Sequence, residues 1–192
     1  MILDVFDTKI YYHENIEFDQ YNIDTRFGKS LIELLESFRS YPDVNARGHS
    51  LSSVSLPAKI LYIPGFRGFY EILLPYIKQG FLELNLPCDE DPRIVRAWAN
   101  LVTAGTDSRI HVHSIPSVRL VSIFYFSVDS NSGQLTFCES GNDRKFIDQA
   151  TGEKVTFPTR TGTLVCHDPR IPHAVTRHDL VDPRISIIIE FA

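Results

Sequence analysis

Beyond the acidic, proline-containing break PCDEDPR at residues 87–93, the chain becomes a series of short runs rich in Val, Ile, Phe, Tyr and Thr. They are cut apart by the turn signals SVDSNSGQ, ESGNDRK, QATGEK and TRTGT. Residues of this kind suit a pleated, half-buried surface, and many short strands punctuated this way point to a β-sandwich or jelly roll closed on itself. The last run, RISIIIEF, shows the pattern most cleanly. Arg184, Ser186, Ile188 and Glu190 fall on one strand face, and Ile185, Ile187, Ile189 and Phe191 on the other. The apolar set is expected against helices or a facing sheet, and the mixed set against the interior the strands enclose.

The amino-terminal half has a different period. In KSLIELLESFRS, Leu31, Leu34, Leu35 and Phe38 recur at helical spacing, with Glu33, Glu36 and Arg39 left for water. FYEILLPYIKQGFLELNL is a second helical region, in which Pro75 lacks a backbone donor and is expected to start, kink or split the element. The fold class is therefore α+β, mainly β: an amino-terminal helical layer on a double-stranded β-helix of the jelly-roll, cupin-like kind. Residues 1–192 are expected to form one domain, 1–90 supporting a core at 91–192. No repeat, low-complexity tract or long linker marks a second one.

Charge and cysteines narrow the function classes. A net charge of −5 gives no electrostatic reason to expect a nucleic acid or an anionic membrane. Cys88, Cys138 and Cys166 are odd in number, far apart and without a CxxC pair, which argues against a disulfide framework or a cysteine zinc site. The start MILDVFDTKIYY lacks the basic and apolar regions of a signal peptide, and no segment has transmembrane length, so a cytoplasmic location is expected.

RIHVHSIPSVRL carries the chemistry. Residues i and i+2 of a strand project to one face about 6 to 7 Å apart, a span that two ligands can close around one metal ion, so His111 and His113 form a candidate chelating pair. His173, which follows Pro172 and opens the strand-like HAV, is the best third ligand. His13, His49 and His178 read as ordinary core or surface histidines, and His167 as the end of a strand before a turn.

Three stretches, WANLVTAGTDSRIHVHSIPSVRLVSIFYFSVD, FPTRTGTLVCHDPRIPHAV and DPRISIIIEF, together resemble the carboxy-terminal core of the 2-oxoglutarate and Fe(II)-dependent oxygenases. The resemblance covers about residues 95–192 and is greatest to the prolyl-hydroxylase-like oxygenases of bacteria and their phages. It implies Fe(II) as the metal, with 2-oxoglutarate and molecular oxygen as co-substrates. His111 and His173 match the first and distal histidine ligands. Arg184 and Ser186 match the RxS pair that holds the far carboxylate of 2-oxoglutarate, a task suited to a planar guanidinium and its two parallel hydrogen bonds. Tyr125 stands where relatives often have a tyrosine near the co-substrate, with a core aromatic as the plainer alternative. Arg119 and Asn100 are weaker candidates for substrate or co-substrate contacts. Taken alone, Arg184 reads as a surface arginine paired with Asp179 or Asp182.

The departure is at position 113, a histidine where the family has aspartate or glutamate. Three imidazoles leave the metal its full charge, which alters Fe(II) tuning and could favour zinc or nickel. Three accounts stay open: His113 ligates in the carboxylate's place, it faces away from the metal, or a carboxylate from elsewhere, Asp107 or Asp168 being nearest, completes the site. The leading reading is an oxygenase hydroxylating a small molecule or peptide. The alternatives are a three-histidine cupin-like enzyme indifferent to 2-oxoglutarate, such as a thiol dioxygenase or zinc hydrolase, and a non-catalytic β-sandwich binding module. Nothing in the sequence assigns the substrate or the oligomeric state.

Overall fold

The structure is a computed structural model and describes residues 1–6, 8–17, 25–37, 46–47, 50–53, 57–113, 115–129, 131–139 and 153–192. Phe38, His49 and most of the turns ESGNDRK and QATGEK lie outside the described residues.

The amino-terminal half contributes strands β1 (Ile2–Val5), β2 (Thr8–His13), β3 (Ala46–Arg47) and β4 (Ser50–Ser52). It also holds helix α1 (Thr25–Ser37), a 3-10 helix (Pro57–Tyr62) and helix α2 (Phe66–Glu83). Eight strands follow: β5 (Ile94–Val102), β6 (Thr106–His111), β7 (Leu120–Ser127), β8 (Leu135–Cys138), β9 (Lys154–Phe157), β10 (Leu164–His167), β11 (His173–His178) and β12 (Arg184–Phe191). They divide between two antiparallel sheets, β10-β7-β12-β5 in one and β6-β11-β8-β9 in the other. The early strands lengthen these sheets: β2 and then β1 beyond β10, β4 beyond β5, and β3 beyond β6. The fold expected from the turn-punctuated carboxy-terminal half is the fold observed.

β12 explains how the layers divide. It lies between β7 and β5 and all eight of its residues are buried, because both faces of its sheet are covered. Ile185, Ile187, Ile189 and Phe191 join a core with the helices, whereas Ile188 packs with Trp98, Ile123, Tyr125, Val165 and Phe137 between the two sheets. Arg184, Ser186 and Glu190 alternate with the helix-facing set and so share the inter-sheet side.

The helical layer is anchored by aromatic packing. Phe27 of α1 stacks on Phe69 of α2 with centroids 4.6 Å apart, and Phe69 meets Phe124 of β7 edge-on at 5.4 Å. Gly80 lets α2 approach the sheet: a Cβ there would lie 3.0 Å from Cys166 Sγ and 3.1 Å from Tyr11 Cδ1. Pro75 does not start or split α2, which runs unbroken from Phe66 to Glu83. Both Pro75 and Glu71, whose carbonyl loses its donor, are exposed, so water can serve that carbonyl while Phe69, Leu73 and Ile77 hold the helix to the core. No helix of the described residues is long and apolar enough to cross a membrane.

Candidate metal centre

β6 and β11 pair in register at His111 and His173. The ladder stops there because Pro172, immediately before His173, has no N–H to continue it. The chain beyond His111 therefore leaves β11, and His113 lies two residues past the end of β6, its backbone N–H donating to the Pro169 carbonyl at 2.9 Å. The expectation of one strand bearing both histidines is met only as far as His111. The rings still converge: one ligand atom from each of His111, His113 and His173 lies within 4.8 Å of the others.

Each imidazole has its tautomer fixed by what its Nδ1 meets. His111 Nδ1–H donates to the Arg109 carbonyl at 2.8 Å, and His173 Nδ1–H to the Ile171 carbonyl at 3.0 Å. His113 Nδ1–H donates to Glu190 Oε1 at 2.6 Å. These oxygens only accept, so in each neutral ring Nδ1 carries the proton and Nε2 is the nitrogen able to ligate. His113 Nε2 and His173 Nε2 then face one another at 3.3 Å. Such a pair is compatible either with a proton shared between the two nitrogens or with a metal ion bound by both. The donor set therefore fits a metal of the kind that imidazole binds: iron, zinc, copper or nickel. Burial, then the neighbouring His111, His167 and His113, push the His173 pKa well below 6.5, which keeps it neutral as a ligand must be.

His167, read from sequence as a strand end, does close β10, but its ring belongs to the same cluster. It sits edge-on to His173 at 4.8 Å, donates Nδ1–H to the Asp168 carbonyl at 2.8 Å, and has no partner for its buried Nε2. His13 packs on Tyr76 at 4.3 Å and buried His178 bonds the Asp182 carbonyl, as expected of structural histidines. Asp168 is held by Arg170, and neither Asp168 nor Asp107 joins the ligand cluster.

The carboxylate nearest the cluster is one that sequence reasoning gave no role. Glu190 is fully buried, accepts from His113, and takes a two-pronged hydrogen bond from Arg96 of β5, Nε and Nη2 each at 2.6 Å. Burial raises its pKa, but the bonds from His113 and Arg96 outweigh that and hold it below 4.5, so it is ionised. Its place on the inward face of β12, beside Arg184 and Ser186 in the alternation, was the available signal. Trp98 stacks on His113 at 5.7 Å and lies under Arg96 at 5.2 Å.

Arg184 is not a surface residue. It is 2% exposed, no ion pair to it occurs among the described residues, and Asp179 is taken by Arg177. Its guanidinium lies over the Tyr125 ring at 4.9 Å. Arg184 Nε, the Tyr125 hydroxyl and the Thr163 hydroxyl are buried without hydrogen-bond partners. Burial lowers the Arg184 pKa and raises that of Tyr125 to about 12, the latter despite the nearby guanidinium. Ser186 is paired in register with Tyr125 on β7 and Asn100 on β5, placing the three in one row. Asn100 accepts from Ser52 Oγ, and Arg119 is exposed just ahead of β7. Among the described residues no carboxylate offsets this buried cation, which the face of the Tyr125 ring compensates in part.

No family model and no curated protein matches the sequence. Solved structures do. The α-ketoglutarate-dependent non-heme carbocyclase SnoK of nogalamycin biosynthesis aligns over 95% of this chain and 78% of its own, with TM-score 0.65 and 14% identity. A Pseudomonas putida prolyl-4-hydroxylase aligns over 95% and 91%, with TM-score 0.56 and 16% identity. The epimerase SnoN, in complex with Fe3+, α-ketoglutarate and nogalamycin RO, aligns over 95% and 78%, with TM-score 0.58 and 14% identity. At these identities the likeness establishes the shared fold.

Proposed function

We propose that the chain is a 2-oxoglutarate and Fe(II)-dependent oxygenase that hydroxylates a small molecule or peptide. The observation that carries this is the pairing of two features in one barrel: three imidazoles whose ligand atoms lie within 4.8 Å of one another, and a buried arginine with no counter-ion among the described residues. A keto acid with a second carboxylate is suited to both. The likeness to SnoK, SnoN and the prolyl-4-hydroxylase supports the same reading.

His111, His113 and His173 are assigned to the metal through Nε2. Arg184, with Ser186 and the Tyr125 hydroxyl beside it, is assigned to the far carboxylate of 2-oxoglutarate, which would give hydrogen-bond partners to Arg184 Nε and the Tyr125 hydroxyl. When bound, iron(II) supplies the oxidising chemistry, by which oxygen and 2-oxoglutarate become succinate and carbon dioxide while a substrate C–H bond is hydroxylated. The protein's part is to position the reactants and keep water from side reactions, with Phe137, Ile171 and Trp98 forming apolar wall around the histidines. The three cysteines are unbridged, which supports a reducing, cytoplasmic setting.

The test is Fe(II)-dependent succinate formation from 2-oxoglutarate under oxygen. Wild-type protein is expected to turn over and His173→Ala is not. A metal-loaded protein indifferent to 2-oxoglutarate and to Arg184→Ala would overturn the proposal in favour of a three-histidine enzyme of another class. Absence of stoichiometric metal would favour the binding module.

A further inference from the structure

Glu190 has features that a packing role alone does not account for. It is fully buried and bonded at the same time to a candidate ligand and, through both carboxylate oxygens, to the guanidinium of Arg96, whose side chain is 30% exposed. A carboxylate this deep is costly unless both oxygens are satisfied, and here Oε1 serves His113 and Arg96 Nη2 while Oε2 serves Arg96 Nε. The His113 bond is the shortest made by any of the four clustered histidines, the other three donating to backbone carbonyls at 2.8 to 3.0 Å. A hydrogen bond from Nδ1–H to a carboxylate pulls the proton outward and makes Nε2 a more basic donor, which a neutral carbonyl does less.

We propose that Glu190 is the anionic partner of the metal centre, acting through His113: it fixes the ring's tautomer and direction and passes part of its negative charge to the metal through the imidazole. Arg96 competes for the same carboxylate and moderates how much of that charge His113 receives. Trp98, stacked on His113 and lying under Arg96, keeps the two groups in line. Glu190 is thus a positioning residue, and the centre comprises three imidazoles with a carboxylate one step outward. The inference rests on His111, His113 and His173 being ligands, and is independent of 2-oxoglutarate.

The experiment is anaerobic titration with Fe(II), and with Co(II) as a spectroscopic probe, on the full chain. Wild type, Glu190→Gln, Arg96→Gln, His113→Ala and the His113→Ala/Glu190→Gln double variant are compared after circular dichroism has shown each to be folded. Glu190→Gln keeps the side chain's shape and is expected to weaken metal binding by about 10- to 100-fold and to shift the Co(II) visible bands. Arg96→Gln should bind metal as tightly as wild type or a few-fold more tightly, since it frees the carboxylate for His113. In the His113→Ala background the Glu190→Gln change should cost less than about threefold, because the route to the metal is gone.

Unchanged affinity and bands in Glu190→Gln would overturn the proposal. So would an equal cost in the His113→Ala background, or a loss in Arg96→Gln matching that in Glu190→Gln, since a merely structural ion pair predicts that symmetry. Wild-type protein that takes up neither metal would instead overturn the reading of the histidines as ligands.

Discussion

Arg184 is the residue on which the proposed 2-oxoglutarate site turns. Its guanidinium is fixed against Tyr125 and buried without a counter-charge, so a lysine in its place would keep the charge but lose the planar fork. Arg184→Lys is expected to weaken 2-oxoglutarate binding by about 10- to 100-fold while leaving metal affinity unchanged, measured by calorimetry on Fe(II)-free, Zn-loaded protein. The clustered histidines set the acid limit. Burial first, and then the neighbouring His113 imidazole, bring the His167 pKa from 6.5 to about 3, and His173 is lowered in the same direction. The native protein resists protonation where the unfolded chain accepts it, so stability is intact above pH 6.5 and falls as pH drops below it. His167 alone should cost the metal-free protein roughly 2 kcal/mol by about pH 5, read from urea midpoints across the range. Glu190, held below 4.5, stays ionised through that window and does not add to the loss.

At the scale of elements, α2 shows how tertiary packing overrides local preference. Pro75 deprives the helix of one hydrogen bond on its wet side, and the cost is met by Phe66, Phe69, Leu73, Ile77 and Phe81 on the dry side. Pro75→Ala restores the donor opposite the Glu71 carbonyl and should stabilise the protein by about 1 to 2 kcal/mol, with the denaturant slope unchanged. Gly80 makes the opposite case. Alanine there improves helix propensity by about 1 kcal/mol. Its Cβ, however, would press on Cys166 Sγ at 3.0 Å and Cys166 Cβ at 3.1 Å. Gly80→Ala is therefore expected to destabilise by about 1 to 2 kcal/mol, with partial recovery in Gly80→Ala/Cys166→Ala.

For the molecule as a whole, the site joins the two sheets. His111 and His173 belong to β6 and β11 of one, whereas Glu190 reaches His113 from β12 of the other, and His167 ends β10 beside Glu190's sheet partners. A metal held there binds the native state alone, so a hundredfold excess over Kd should add about 2.7 kcal/mol and raise Tm by roughly 5 to 10 °C, a shift absent in His173→Ala. The sequence was enough for the parts governed by local periodicity. Alternation over RISIIIEF set which residues of β12 face the helices and which face inward, and the spacing of Leu31 and Leu35 gave α1, though its start lies four residues before the stretch first read as helical. Strand spacing and the choice of residue types also marked His111, His113 and His173 as candidates that the fold does bring within 4.8 Å of one another, whereas Arg184 was singled out through the family resemblance. What only the tertiary structure decided were relations between distant strands: that Pro172 ends the ladder and releases His113 from β6, that Arg184 is buried without a carboxylate, that His167 turns into the cluster, and that Glu190 meets His113 from 77 residues away. Periodicity is a property of neighbours in the chain, whereas a charge's partner is set by which strands the closed barrel brings face to face.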